Sequence, residues 1–349
     1  MSSIATAPRD EAAEDGLPSP YLLFLGDTVE PGYAKTAFGL RDWVGERCVG
    51  EFTLPGARVS TGLPRLAPRQ AVAAGARGLV IGVANAGGII PRTWIAGLVE
   101  ALEAGLDIIS GMHARLADIP ELKAAAERTG RRLIDVRTPP KGIPVGAGVR
   151  RSGRRILTVG TDCALGKKYA ALAITRGLRG RGLDVDFRAT GQTGIMIAGA
   201  GVPIDAVVSD FVAGAAEMLS PAAPPSHVDV IEGQGSLLHP AYGAVSLGLL
   251  QGSQPTAFVV CHEPGRAEIL GYAGHAVPSI EAVISATLAL GRVTSPDIRC
   301  AGISLNTGKL TPRAAQAEIE AVAERLGLPA ADPMRGGPAF ERLLDACLA

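Results

Sequence analysis

Aromatic side chains are scarce, opposite charges cancel, and no apolar run approaches the length of a bilayer span. Phe, Trp and Tyr make up 4% of the 349 residues against 47% for apolar residues as a whole. That is the profile of an α/β protein whose parallel strands are buried by Ala, Val, Leu, Ile and Gly. Lys plus Arg and Asp plus Glu number 34 each, so no net field draws the chain to nucleic acid or to an anionic membrane. Without an apolar stretch of about 20 residues there is no spanning helix. The acidic start from Arg9 to Asp15 is the opposite of a signal peptide's basic one, and a cytoplasmic protein is expected. Cys48, Cys163, Cys261, Cys300 and Cys347 show no C-x-x-C spacing and suit reduced thiols rather than a disulfide framework or a zinc site.

The length accommodates two full cores. Residues 1–18, rich in Ala, Ser, Pro and acids without periodicity, are expected to be a disordered tail. Over residues 19–140, apolar runs at 21–27, 48–54, 78–84, 106–110 and 132–136 alternate with helical patterns at 33–44, 69–76, 92–104 and 120–128. This alternation predicts a Rossmann-like parallel sheet. Within it, the glycine loop Gly82–Gly88 and His113 sit at strand ends, where ligands gather, but a tight βα turn explains the loop as well, and a structural role suits His113 better. Residues 141–153, in a Pro- and Gly-rich run, read as a linker. Residues 154–349 predict a second α/β domain, a P-loop NTPase-like doubly wound parallel sheet.

The second domain opens on Ile156-Leu157-Thr158-Val159-Gly160-Thr161-Asp162-Cys163-Ala164-Leu165-Gly166-Lys167-Lys168, a buried strand, a glycine-bounded loop and the first turn of a helix. Gly160 and Gly166 let the backbone aim consecutive N–H groups at an anion, the helix start adds its positive end, and Lys167 adds a point charge. A phosphate cradle is expected from Gly160, Thr161, Asp162, Gly166, Lys167 and Lys168. Five residues rather than four separate the glycines, and Lys168 stands where Ser or Thr would hold Mg²⁺, which weakens the case for phosphoryl transfer. Cys163 is either a small filler or a thiol whose pKa the helix start lowers.

Three further strand ends carry polar clusters. Arg188-Ala189-Thr190-Gly191-Gln192-Thr193-Gly194 reads as a loop that binds a polar substrate through directed hydrogen bonds. Val228-Asp229-Val230-Ile231-Glu232-Gly233-Gln234-Gly235-Ser236-Leu237-Leu238-His239-Pro240 places an acid beside glycines that permit close approach, and His239 is either a site residue or part of a turn. Phe258-Val259-Val260-Cys261-His262-Glu263-Pro264-Gly265-Arg266 offers His262 as a base and Arg266 as a carboxylate clamp. Adjacent side chains leave a strand on opposite faces, which argues against a metal shared by Cys261, His262 and Glu263. Asp205 and Asp210 are either helix caps or site residues. The last strand ends at Asn306-Thr307.

At the superfamily level, GTDCALGK, IEGQGSLLHP and ISLNT resemble the phosphate loop, the E-G-x-G segment and the adenine-facing Asn segment of dethiobiotin synthetase. That resemblance implies Glu232 as a Mg²⁺ ligand and Asn306 as a reader of a purine base. Nearly the whole chain resembles the two-domain family that includes bacterial D-glutamate N-acetyltransferase, on the combination GTDCALGKK, ATGQTGIMIAG, DAVVSDFVAGAAE and EGQGSLLHPAY. The resemblance implies a Rossmann-like domain followed by a P-loop domain, and transfer of acetyl from acetyl-CoA to D-glutamate beside an enzyme that racemises or epimerises the product.

An acetyltransferase needs a neutral amine, a positioned thioester and donors for the oxyanion. The expected assignment gives coenzyme A phosphates to Lys167 and Lys168. Substrate carboxylates go to Arg188 or Arg266 with Thr190, Thr193 and Gln192, and the amine proton goes to Glu232, His239 or His262; no metal is required. The alternatives are an ATP-dependent ligase or kinase, with Glu232 and Asp162 holding Mg²⁺, and a non-catalytic nucleotide switch. Homo-oligomerisation is left open.

Overall fold

The structure, a computed structural model, describes residues 16–349; most of the expected tail, residues 1–15, lies outside the described residues. The chain divides into two compact units. One runs to Thr138 and includes Ile195–Ala200, and the other comprises Pro139–Gly194 and Gly201–Ala349.

The first unit strings β1 (Tyr21–Gly26), α1 (Lys35–Val44), β2 (Cys48–Thr53), α2 (Pro68–Ala73), β3 (Gly78–Ile81), α3 (Arg92–Ala104), β4 (Asp107–Ser110), α4 (Pro120–Thr129) and β5 (Leu133–Asp135). All strand pairs are parallel, in the order β2-β1-β3-β4-β5. β1 is buried at every position, as a near-continuous apolar run in a two-faced sheet must be. α3 buries Trp94, Leu98, Ala101 and Leu102 on one face and stops at Gly105 in the left-handed region, the common helix ending. Trp94 packs edge-on against Phe24 at 5.4 Å and donates from Nε1 to Asp27 at 2.7 Å. A side chain at Gly26 would meet that indole at 2.5 Å, so only glycine fits there.

The second unit contains β6 (Arg154–Gly160), α5 (Lys167–Gly180), β7 (Val185–Arg188), the start of α6 (Gln192–Ala198, of which Ile195 onward falls in the first unit), α7 (Val212–Leu219), β8 (Val228–Ile231), α8 (Gly243–Ser253), β9 (Ala257–His262), α9 (Ile280–Gly291), β10 (Arg299–Leu305), α10 (Pro312–Leu326), β11 (Ala330–Ala331) and α11 (Gly337–Leu348). Its sheet is parallel, ordered β11-β10-β9-β6-β8-β7. The chain leaves β6 toward one side and crosses back over it between β8 and β9, so the carboxyl end of β6 is the topological switch point where ligands settle. Register aligns the strand ends: Arg188 pairs with Ile231, Leu157 with both Ile231 and Phe258, Gly160 with Cys261, and Leu305 with His262. The residues that follow each strand therefore share one edge. Leu157, Ile231, Phe258, Val260 and Ile303 form the core with Leu249 and Leu250 of α8 and Val283 of α9.

The structure departs from the sequence expectation at one helix, and two others lie where the sequence offered no reading. The polar stretch expected to be a loop becomes α6 from Gln192 onward. α8 is apolar around most of its circumference, which leaves no amphipathic stripe to read. Its Gly252 lies where a Cβ would collide with the Ala213 backbone, so small residues let α7 and α8 approach closely. α9 starts at Ser279, whose Oγ accepts from the N–H of Ala282 at 3.1 Å, the ordinary N-cap.

Candidate active site

β6 ends at Gly160 and α5 begins at Lys167. Between them Ala164 (φ 53°) and Gly166 (φ 101°) adopt left-handed backbone. Among the described residues no acceptor faces the N–H groups of Ala164, Leu165 or Gly166. Together they form a run of backbone donors leading into α5, the kind of arrangement that suits an anion. Lys167 is buried and donates from Nζ to the Asp162 carbonyl at 2.7 Å. Burial lowers its pKa, opposed by Cys163, Cys261, Asp162 and Glu232 around it. Lys168 lies with Nζ 5.2 Å from the Tyr169 ring.

Asp162 is fully buried and ties the loop to a distant segment. Its Oδ1 accepts from Cys163 N–H at 2.6 Å, and its Oδ2 accepts from Arg266 Nη1 and from Leu270 N–H, each at 2.9 Å. Burial raises its pKa, but Leu270, Arg266 and Cys163 together outweigh that and hold the carboxyl below its usual range.

His239 packs between Tyr242 and Tyr272, ring centroids 4.6 and 4.8 Å away. Its Nδ1 accepts from the N–H groups of Ala241 and Tyr242 at 3.1 and 3.2 Å. The neutral ring therefore carries its proton on Nε2. That atom is buried with no hydrogen-bond partner and lies 3.8 Å from Asp162 Oδ1. Burial lowers the His239 pKa against the pull of Asp162. This geometry presents Nε2–H of His239 as a donor, whereas the sequence also offered the ring as a base. A carboxylate oxygen of Asp162, Sγ of Cys163 and a ring nitrogen of His239 lie within 4.8 Å of one another.

Glu232 follows β8 and is buried. Its Oε2 accepts from the N–H groups of Thr190 and Gly191 at 3.0 and 3.1 Å. Thr190 Oγ1 donates to the Glu232 carbonyl at 2.6 Å and accepts from Gln234 Nε2 at 2.9 Å. Burial raises the Glu232 pKa; Lys168 and the two N–H groups pull the other way. A Cβ on Gly194 would collide with this carboxylate, and one on Gly233 with the Thr158 carbonyl. Those are the close approaches for which the glycines are needed. Gln192 Oε1 and Ser236 Oγ are buried without a partner. Thr193 is buried beside them on α6.

Thr161 Oγ1 lies 2.9 Å from His262 Nδ1, and burial lowers the His262 pKa, leaving it neutral and able to accept a proton. Asn306 is exposed at the end of β10; its N–H donates to the His262 carbonyl at 2.8 Å and its Oδ1 accepts from Gly308 N–H at 3.3 Å.

Two expected carboxylate clamps are engaged elsewhere. Arg188 donates from Nε to Asp229 at 2.6 Å and pairs with Asp186 at 3.1 Å. Arg266 is spent on Asp162, the Cys163 carbonyl at 2.8 Å and Glu263 at 2.5 Å. The Arg188–Asp229 and Arg266–Asp162 pairings span 41 and 104 residues, which spacing along the chain does not reveal. Ser236, Tyr242 and Tyr272 were not singled out from the sequence, although Ser236 lies within the E-G-Q-G-S segment.

The site does not fit a metal held by Asp162, Cys163 and His239. A metal on Nε2 requires the proton on Nδ1, where two backbone N–H groups already point. Both oxygens of Asp162 are also committed to N–H donors. The second acid–histidine group, Asp186, His227 and Asp229, is consumed by Arg188, Ser220 and Asp184.

A parallel α/β unit with an anion-facing loop at its switch point defines a P-loop protein. A P-loop domain model of unknown function, DUF1611_C, matches residues 144–344, and the Rossmann-like DUF1611_N model matches residues 51–139. The chain belongs to the DUF1611 family. It is 48% identical over 331 residues to a D-glutamate N-acetyltransferase of Tritonibacter scottomollicae, covering 95% of this chain and 99% of that one. It is 44% identical over 318 residues to a D-glutamate N-acetyltransferase of a Pseudoalteromonas species, covering 91% and 96%. The crystal structure of a DUF1611 family protein from Anabaena variabilis superposes with a TM-score of 0.82 at 32% identity, covering 94% of this chain and 99% of that one. Among the described residues no helix is long and apolar enough to cross a membrane.

Proposed function

We propose that the chain is an N-acetyltransferase that moves the acetyl group of acetyl-CoA to the amine of D-glutamate. The observation that carries the reading is the 48% identity to a D-glutamate N-acetyltransferase across nearly the full length of both chains. The geometry at the β6 edge supports it. Acyl transfer needs donors aimed at a developing oxyanion, and the loop supplies N–H groups that no protein acceptor satisfies. It also needs a group that takes the amine's proton. Glu232 suits that role, because burial makes its carboxylate a stronger proton acceptor. Thr190, Thr193 and Gln192 line the approach to Glu232 and serve the substrate's polar groups. The product, N-acetyl-D-glutamate, is suited to a racemase or epimerase that inverts its α-carbon.

The ATP-dependent alternative has less support. Lys168 stands where a Mg²⁺-binding hydroxyl belongs, and Asp162 is already held by Arg266, Leu270 and Cys163. The test is release of CoA thiol from acetyl-CoA with a panel of D- and L-amino acids, with and without ATP. Thiol release should be fastest with D-glutamate and indifferent to ATP. ADP formation coupled to product, or no thiol release with any amine, overturns the reading.

A further inference from the structure

We infer that Cys163 is the nucleophile of the transfer, taking the acetyl group from the donor as a thioester and handing it to the amine. The inference rests on the acetyltransferase reading and specifies its course as two steps through an acetyl-enzyme.

Three independent features meet at this thiol. Sγ of Cys163 lies within 4.8 Å of a ring nitrogen of His239 and a carboxylate oxygen of Asp162. The His239 side chain is fully buried, and its Nε2–H has no partner in the protein. Two backbone N–H groups on Nδ1 and two tyrosine rings hold the imidazole in place. A buried donor without an acceptor is costly unless something arrives to use it. A thiolate, or the oxygen of a tetrahedral intermediate, is such an acceptor. Second, Cys163 directly precedes the N–H groups of Ala164, Leu165 and Gly166 that no acceptor faces and sits four residues before α5 begins, with the Lys167 ammonium beside it. Helix start and cation both favour thiolate over thiol. Third, Cys163 is partly exposed, whereas Cys48, Cys261 and Cys347 are buried. A substrate can reach it.

The chemistry closes without a further reactant. The Cys163 thiolate attacks the acetyl carbonyl, whose oxygen becomes an oxyanion facing the N–H groups of Ala164, Leu165 and Gly166. The carbonyl–sulfur bond to CoA breaks, and CoA leaves as a thiolate that takes a proton from water. The neutral amine then attacks the Cys163 thioester, the new C–N bond forms, and Cys163 departs as a thiolate. The surplus amine proton goes to Glu232 or to water. The cradle thus holds the carbonyl oxygen of the thioester rather than the phosphates of coenzyme A, which the loop's spacing alone suggests. A singly charged oxyanion suits a hole that also contains the Asp162 carboxylate. A phosphate there would face that carboxylate with no metal-binding hydroxyl nearby.

The test begins with acetyl-CoA and no amine. Acid-quenched protein should gain the mass of one acetyl group, peptide mapping should place it on Cys163, and CoA thiol should appear in a burst equal to the enzyme. Adding D-glutamate should discharge it as N-acetyl-D-glutamate. Cys163→Ala should lose the burst and lower kcat by roughly a hundredfold or more, with an unchanged melting temperature showing that the fold is intact. His239→Ala should slow the burst more than His239→Gln, which keeps an N–H donor. Acetyl on Cys300, no acetyl-enzyme in a protein that still acetylates D-glutamate, or near-parent turnover by Cys163→Ala would each overturn the inference while the acetyltransferase reading stands. Absence of acetyl transfer to any amine, together with no acetyl-enzyme, would overturn both.

Discussion

Arg188 donates from Nε to Oδ1 of Asp229 at 2.6 Å, and Oδ2 of the same buried carboxylate accepts from Ser220 at 2.6 Å. The cation that closes β7 is part of the frame of the sheet rather than a hand extended to substrate. Arg188→Ala should therefore lower the unfolding free energy by about 1–3 kcal/mol, because it strips a donor from a buried acceptor. KM for the amine should stay near that of the parent. A raised KM at unchanged stability, measured by steady-state kinetics beside urea unfolding, would return Arg188 to the substrate site.

His227 belongs to the same frame. Burial lowers its pKa, but hydrogen bonds and charge from Asp184 and Asp229 outweigh this, and the net shift is upward. Asp186 also lies 3.9 Å from the ring, and Arg188 pairs with Asp186 and Asp229. A raised folded-state pKa means that charged His227 stabilises the fold fully below its unfolded pKa of about 6.5. That contribution fades as pH rises through the folded value. Urea unfolding from about pH 6 to about pH 8 should show His227→Gln losing part of the parent's decline in stability, and identical slopes would contradict the assignment.

A side chain at Gly194 would occupy the position of the Glu232 carboxylate. Gly194→Ala should push Glu232 off the N–H groups of Thr190 and Gly191 and reduce kcat by roughly 10²-fold or more, the scale of a misplaced general base. Gly233→Ala, whose new methyl would strike the Thr158 backbone, should instead impair folding of the whole unit. Soluble, cooperative Gly233→Ala protein with parent-like activity would show that the strand ends yield more than their packing implies.

Asp162 joins the loop to Arg266 and Leu270 through both carboxylate oxygens. In Asp162→Asn the amide can satisfy one side only. The Leu270 amide should then exchange with deuterium faster, and KM for the donor should rise more than kcat falls. Stability should drop by about 1–3 kcal/mol. Unchanged exchange at Leu270 would remove Asp162 as the connecting residue.

The alternation of apolar runs with helical patterns was enough to foresee both parallel sheets, because burial on two faces writes itself into the composition of each strand. β1, with every residue buried, is the plainest case. The loop at Gly160–Lys167 was legible for a similar reason, since its glycines, lysine and helix start are contiguous. The fates of Arg188 and Arg266 were not legible. Their partners Asp229 and Asp162 lie 41 and 104 residues away, and only the fold decides whether a strand-end arginine meets an acid or solvent. α8, apolar nearly all round, carries no stripe for a sequence to show, and the Gln-Thr-Gly of α6 looks like a turn until neighbours bury it. The protonation of His239 depended on two N–H groups of the turn that follows it, a detail of backbone direction rather than of residue type.

Ala164 holds a left-handed backbone, φ 53°, without being glycine. An L-residue there costs on the order of 1–2 kcal/mol, an expense met when the chain folds rather than when a ligand arrives. The donors around it consequently stand in their working directions beforehand, and an incoming oxyanion gains hydrogen bonds without having to reorganise the backbone. Anion capture at this loop should then proceed as docking onto a rigid surface, with an entropy loss belonging to the ligand alone.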